Sequence, residues 1–251
     1  MSGLDRRRLD GANNSHDVRR MEDAVTNQRP VDRAVKRATE MILATAALVL
    51  LSPAMAGVAV AILLTQGRPI LFRQRRPGLG GVSFTIVKFR TMRAPRPGEI
   101  WYRTDEQRLT RLGRFLRMTS VDELPELWNV VRGEMSLVGP RPLLMEYLES
   151  YTPRQARRHD VRPGITSWAI VNGRHGLSFA ERLELDIWYV EHWSLRLDAR
   201  ILRLTASQVL RRTGAAAAQD VDEVGFPLPG VERATKPGMD APDEPGPAKP
   251  G

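Results

Sequence analysis

Residues 41–64 read MILATAALVLLSPAMAGVAVAILL, without a single charged side chain. As continuous helix, Ile42 to Leu64 would reach about 35 Å. That is enough to cross a hydrocarbon core of roughly 30 Å. Two features argue against a plain crossing. Pro53 sits near the middle, where it removes a backbone hydrogen bond and its ring crowds the preceding turn. Both flanks are also basic: Arg33, Lys36 and Arg37 before, and Arg68, Arg73, Arg75 and Arg76 after. The positive-inside bias then keeps both ends on the cytoplasmic face. A helix broken at Ser52-Pro53 would dip in and return, with the Ser52 hydroxyl available to a freed carbonyl. A kinked single span is the alternative, since membrane helices tolerate proline.

Around this run the chain divides by composition. Residues 1–30 are polar and charged and read as a disordered leader, and residues 213–251, rich in Pro, Gly and Ala, as a disordered tail. Residues 31–67 form the re-entrant helix and 68–212 the rest of the folded unit, with no internal repeat. The long charged leader does not suit a cleavable signal peptide, so the apolar run is read as retained. Net charge is +9, but Gly214 to Gly251 holds seven acidic and three basic residues, leaving +13 on the first 213. Such a body seeks anionic lipid, nucleotide phosphate or nucleic acid. The apolar run and the scarcity of aromatics among the basic surfaces disfavour nucleic acid. The chain has no cysteine, which excludes disulfides and thiolate metal sites.

Beyond the run, Ile70 to Gln74 and Ser83 to Phe89 read as a β-hairpin around Pro77-Gly78-Leu79-Gly80-Gly81. Those glycines lack a following helix and a Gly-Lys-Ser/Thr ending, so a plain turn outweighs a phosphate cradle. Asp105 to Arg117 reads as one amphipathic helix, with Leu109, Leu112, Phe115 and Leu116 on a face and Arg108, Arg111 and Arg114 opposite. Further helices are expected from Pro125 to about Val131, Phe179 to Trp193 and Leu195 to Leu210. Trp188, Tyr189 and Trp193 suit either a membrane interface or a core. His16, His159, His175 and His192 show no metal-ligand spacing.

The chemistry concentrates between Arg117 and Pro142. Asp122 and Glu123 are adjacent, and Gly139-Pro140-Arg141-Pro142 is a turn whose two prolines restrain the backbone around one guanidinium. Carboxylates can hold a divalent cation or attack phosphorus, and arginine forks grip phosphate oxygens. A plainer reading exists. Ser120-Val121-Asp122-Glu123 matches a capping box. Pro125 weakens it, because it biases residue 124 away from helical angles and makes Pro125 the natural helix start. Arg117 also suits a helix C-terminal cation.

These residues make the chain similar to the bacterial sugar transferase family, small monotopic phosphoglycosyl transferases that begin glycan assembly on polyprenyl phosphate. The resemblance covers about Val31 to Leu210. It rests on ordered blocks: Phe72-Arg73-Gln74-Arg75, Lys88-Phe89-Arg90-Thr91-Met92, Ser120-x-Asp122-Glu123-Leu124-Pro125, Ser136 to Pro142, Arg162-Pro163-Gly164-Ile165-Thr166 and Trp188-Tyr189-Val190. The implied fold class is α+β: a mostly helical monotopic membrane protein with a re-entrant N-terminal helix broken at Ser52-Pro53, a small β-hairpin and interfacial amphipathic helices. The implied activity transfers a sugar-1-phosphate from a UDP-sugar to polyprenyl (undecaprenyl) phosphate with Mg²⁺. UMP is released, as a first membrane step of exopolysaccharide or other glycan assembly.

In the resemblance Asp122 is the nucleophile, forming an aspartyl-phosphosugar intermediate. Asp122 would also ligate the metal, and Glu123 either shares it or orients Asp122. Arg117, Arg141, Lys88 and Arg90 are the candidate phosphate and nucleotide contacts. Membrane lipids are expected partners, the bacterial inner membrane with a cytoplasmic catalytic face is the expected location, and a homodimer is left open. Departures include Glu126, a third acid where many relatives have Gln, and Ser167-Trp168-Ala169-Ile170 in place of Gly-Trp-Ala-Gln. Larger relatives carry an N-terminal multi-span region for which this chain has no room. The rival reading is a membrane-anchored basic scaffold without catalysis.

Overall fold

A computed structural model describes residues 30–94, 105–173 and 177–210. The expected leader (all but Pro30) and tail, with His16 and His175, lie outside the described residues. One long helix, α1 (Pro30–Gln66), leads into a hairpin of β1 (Leu71–Pro77) and β2 (Ser83–Phe89). Then come α2 (Asp105–Arg108), α3 (Arg111–Met118), α4 (Glu126–Arg132), β3 (Ser136–Val138), α5 (Pro153–Ala156) and β4 (Gly164–Thr166). Helices α6 (Trp168–Gly173), α7 (Phe179–His192) and α8 (Leu195–Leu210) complete the described chain, with short 3₁₀ turns between several elements.

The apolar run forms helix as expected, but the break at Ser52-Pro53 needs correcting. Helical structure continues through Pro53. The missing proline N–H would leave the carbonyl four residues back, that of Val49, without its partner. Ser52 Oγ instead donates to the Val49 carbonyl at 2.8 Å, so the turn stays closed. The outward face is apolar and bare, with Ile42, Val49, Leu50 and Leu64 between 69% and 79% exposed. By length and composition α1 is able to cross a membrane.

Both halves of α1 pack on the same body. Before Pro53, Ala44, Ala47 and Leu48 join Ile86, Leu127, Val130 and Met135. After it, Met55, Val58, Ala59 and Ile62 join Phe89, Leu112 and Leu116. The ends are fastened by arginines. Arg37 donates to the Val130 and Val131 carbonyls at 2.6 and 3.0 Å, satisfying the open end of α4. Arg90 donates to the carbonyls of Gln66, Gly67 (2.8 Å) and Arg68 (3.1 Å), capping α1 itself. A buried polar cluster adds to this: Lys36 bonds Asp198 at 2.6 Å, and Tyr189 donates to Asp198 at 2.7 Å.

The expected hairpin forms and is antiparallel, with Phe72 opposite Lys88 and Pro77 opposite Ser83, and its first strand runs on past Gln74 to Pro77. Its glycine connection is a plain 3₁₀ turn, with Gly80 and Gly81 at positive φ. The parallel pair β3–β4 was not anticipated. The single helix expected over 105–117 is two. Thr110 takes an extended backbone and its hydroxyl accepts from the Gly113 N–H at 2.9 Å, starting α3 afresh. Gly113 has to be glycine, since a Cβ there would lie 1.8 Å from the Thr91 carbonyl oxygen. That close approach seats α3 against the end of β2.

Candidate active site

The dyad sits on a 3₁₀ turn, Val121–Glu123, between α3 and α4. Ser120 before it adopts left-handed angles (φ 55°) and makes no capping hydrogen bond through its side chain, so the capping-box reading fails. Helix α4 begins just after Pro125, close to the expected start. Leu124 keeps helical angles despite the following proline, because the 3₁₀ turn runs straight into the helix. Asp122 and Glu123 are both buried, at 4% and 5% exposure, beneath the mouth of β2.

Three acids and several cations meet here. Glu123 Oε1 accepts from Arg141 Nη2 at 2.7 Å and from Lys88 Nζ at 3.2 Å. Lys88 Nζ also lies 3.2 Å from Glu126 Oε1, in ion-pair range without a directed hydrogen bond. Arg117 approaches from α3, its Nε donating to the buried Thr91 hydroxyl at 3.0 Å. Asp122 Oδ1 is buried and has no hydrogen-bond partner. Burying an oxygen of this kind without a partner costs free energy, which marks it as a place where a ligand is wanted.

The three carboxyls titrate in different directions. Burial would raise Glu123, but Arg141 and Lys88 outweigh it and hold the group at about 2. Burial raises Asp122, and the neighbouring Glu123 charge adds to this against Lys88, Arg117 and Arg141. Burial also pushes Glu126 up to about 7, with Lys88 opposing and Glu123 assisting. Lys88 is itself raised, since its carboxylate neighbours outweigh the effect of burial, so it remains a cation.

Packing of α4 on the hairpin sets these distances. Asn129 is 1% exposed and acts as an extra rung beside β2. Its Oδ1 accepts from the Val87 N–H at 3.2 Å, and its Nδ2 donates to the Thr85 carbonyl at 2.8 Å. With α4 locked to β2, Lys88 reaches Glu123 and Glu126 together. Arg141 is delivered from the other side by the turn after β3. There Gly139 permits a crossing that a Cβ, 2.3 Å from the Arg162 carbonyl oxygen, would forbid.

The structure thus gathers Asp122, Glu123, Arg141, Lys88 and Arg117 into one site. Arg90 is placed differently: its hydrogen bonds go to the end of α1. Sequence reasoning missed Asn129, Thr91 and a buried pair, Arg158 and Asp186, behind Arg141. His159 is buried and held neutral, pushed down to about 3 by burial and by Arg158. Asp122 Oδ1 is the atom here most suited to a hard cation. Mg²⁺ is commonly held by one or two carboxylates plus substrate phosphates, so an all-protein cage is not required. Among the described residues no group of three or more His, Cys, Asp or Glu is arranged as such a cage.

A family model described as bacterial sugar transferase matches residues 31–212. The chain is 52% identical to the uncharacterized sugar transferase EpsL of Bacillus subtilis, over 64% of this chain and 79% of that protein. It is 43% identical to a UDP-glucose:undecaprenyl-phosphate glucose-1-phosphate transferase of Xanthomonas campestris pv. campestris, over 70% of this chain but 38% of the relative. A protein of the same name from Caulobacter vibrioides is 40% identical over 72% of this chain and 71% of its own length.

Proposed function

The chain belongs to the bacterial sugar transferase family, and from that membership we propose that it moves a sugar-1-phosphate from a UDP-sugar to polyprenyl phosphate at the cytoplasmic face of the membrane. The observation that carries this reading is Asp122: a buried carboxylate with an unpartnered oxygen, ringed by Lys88, Arg117 and Arg141. Relatives named for glucose-1-phosphate transfer to undecaprenyl phosphate support the same substrate classes.

The proposed reaction has two displacements. An Asp122 oxygen attacks the sugar-bearing phosphorus of the donor, the bridging P–O bond breaks, and UMP departs with the electron pair. An oxygen of polyprenyl phosphate then attacks that phosphorus, returning Asp122 as carboxylate and yielding the lipid diphosphate sugar. Attack by one anion on another needs neutralised charge and fixed geometry. Arg141 and Lys88 are preorganised by Glu123, so they pay little reorganisation when negative charge shifts. Glu123 orients these cations beside Asp122. A Mg²⁺ ion on the Asp122 carboxylate would supply further cancellation of diphosphate charge.

The re-entrant topology belongs to this proposal. Arg37 and Arg90 fasten the two ends of α1 to one domain, and both halves pack on it. A helix crossing the bilayer would carry one end away from that domain. A bend at Pro53 that keeps the helical hydrogen bonding of α1 would let it enter and return through one face, so that the soluble donor and the lipid acceptor use the same site.

The test is UMP release by the full chain in detergent, with Mg²⁺, undecaprenyl phosphate and a panel of UDP-sugars. Release that needs both donor and acceptor for turnover is expected. No release from any donor would overturn the reading.

A further inference from the structure

We propose that Arg158, neutralised by Asp186, is a positioning residue that fixes the reach of Arg141 from behind. The proposal rests on the reading above, in which Arg141 contacts the transferring phosphate. Arg158 is 2% exposed, and Asp186 on α7 is 4% exposed. Arg158 Nη2 donates to the Arg141 carbonyl at 2.6 Å and to Asp186 Oδ2 at 2.7 Å. Its Nε reaches the same Asp186 oxygen at 3.2 Å, and Nη1 lies 3.4 Å from the Tyr151 hydroxyl.

This connection matters because of what surrounds Arg141. Pro140 and Pro142 fix their own φ angles and Pro142 narrows the ψ of Arg141 to extended values, but the peptide plane after Arg141 still varies within that range. The backbone oxygens on either side are held: Pro140 O accepts from the Gly164 N–H at 3.0 Å, and Pro142 O accepts from Arg76 Nη1 at 3.4 Å. The Arg141 carbonyl is held by a charged side chain, which removes the remaining rotation. The far end of the same residue, Nη2, meets Glu123 at 2.7 Å. Arg141 is therefore gripped at its carbonyl and aimed at its tip.

Stability alone is a weak reason for the arrangement. A buried ion pair is often no more stabilising than apolar packing of the same size. Neighbouring exposed pairs, Arg154–Glu184 at 3.0 Å and Arg157–Glu191 at 2.6 Å, already tie this segment to α7. Arg158 adds the link to the Arg141 backbone, and a displacement of about 1 Å at a reacting group can cost on the order of 10²-fold in rate.

The experiment uses the full chain, undecaprenyl phosphate and the UDP-sugar that supports UMP release. Arg158→Lys keeps the buried charge but replaces the forked guanidinium by a single ammonium. It should lower kcat roughly 10- to 100-fold with KM for that donor within about threefold. In an Arg141→Ala background the same change should cost less than about twofold, because the group it positions is gone. Arg157→Ala, which cuts a tie between the same two segments, should leave turnover unchanged. Asp186→Asn, close in shape, is the second variant and should follow the Arg158→Lys pattern. Equal losses in both backgrounds, or full activity of Arg158→Lys, would overturn the positioning role. Hydrogen exchange of the 136–144 segment gives a readout free of any donor: Arg158→Lys should speed it and Arg157→Ala should not, and unchanged exchange contradicts the proposal. If Arg141→Ala itself keeps full turnover, the phosphate-contact reading fails instead.

Discussion

Arg141 Nη2 donates to Glu123 Oε1 at 2.7 Å, while Asp122, the preceding residue, keeps a buried Oδ1 with no such partner. Two adjacent carboxylates are thereby made unequal. Glu123 is spent on holding cations, and Asp122 faces them with an oxygen to offer.

Glu123→Gln should reduce UMP release by about 10²-fold or more, because two cations lose the charge that gathers them. Steady-state UMP assays would show the loss mainly in kcat. A variant within twofold of the parent contradicts the orienting role.

Glu126 predicts a pH effect. Its carboxyl rises from 4.5 to about 7 on folding, so the native state holds a proton that the unfolded chain releases. Stability from this group is full below pH 4.5 and is lost as pH rises through 7. Glu126→Gln should therefore match the parent near pH 4.5 and exceed it above pH 7 by roughly 1–3 kcal/mol. Thermal unfolding at both pH values checks this, and an equal difference at both would refute it. Glu123, held at about 2, has the opposite sign and costs stability only as pH falls from 4.5 towards 2.

Arg90 and Arg141 separate structure from chemistry. Arg90→Ala frees three carbonyls at the end of α1 and should cost about 1–3 kcal/mol. Arg141→Ala takes a cation from the buried Glu123 carboxylate and should also lower stability, but turnover measured well below both midpoints should fall by about 10²-fold in Arg141→Ala and not in Arg90→Ala. Paired melting curves and UMP assays read both, and the reverse pattern would contradict the assignment.

Ser52→Ala leaves the Val49 carbonyl with neither a backbone nor a hydroxyl donor and should cost about 1–2 kcal/mol. The same helix carries the topology. Single cysteines placed near Arg37 and near Arg68, at exposed positions that leave Arg37 in place, should react with an impermeant reagent from one side of sealed vesicles, and labelling from opposite sides would mean a spanning helix.

Much of this was legible in the chain. The apolar run, the hairpin, α7, α8 and the gathering of Asp122, Glu123 and Arg141 follow from composition, periodicity and motif. The Ser52 hydroxyl was anticipated as the substitute for a lost donor, but its consequence, an unbroken helix, depends on geometry within one turn. Arg90 looked like a phosphate contact because a strand-end cation has no partner in a linear reading; folding returns the end of α1 to it. Asn129 and Arg158–Asp186 were invisible for a related reason. The partners that matter lie 17 to 44 residues away, and three of them are backbone atoms, which leave no mark on residue type. Thr110 split an expected helix because its hydroxyl competes for an N–H that periodicity alone assigns to a continuous helix.

Intact-mass spectrometry after incubation with Mg²⁺ and the UDP-sugar that supports UMP release, without lipid acceptor, tests the central claim most directly. The parent chain should gain one sugar-phosphate, lose it on addition of undecaprenyl phosphate, and gain nothing as Asp122→Asn. An adduct that persists in Asp122→Asn, or turnover of that variant at the parent rate, would contradict covalent catalysis at Asp122.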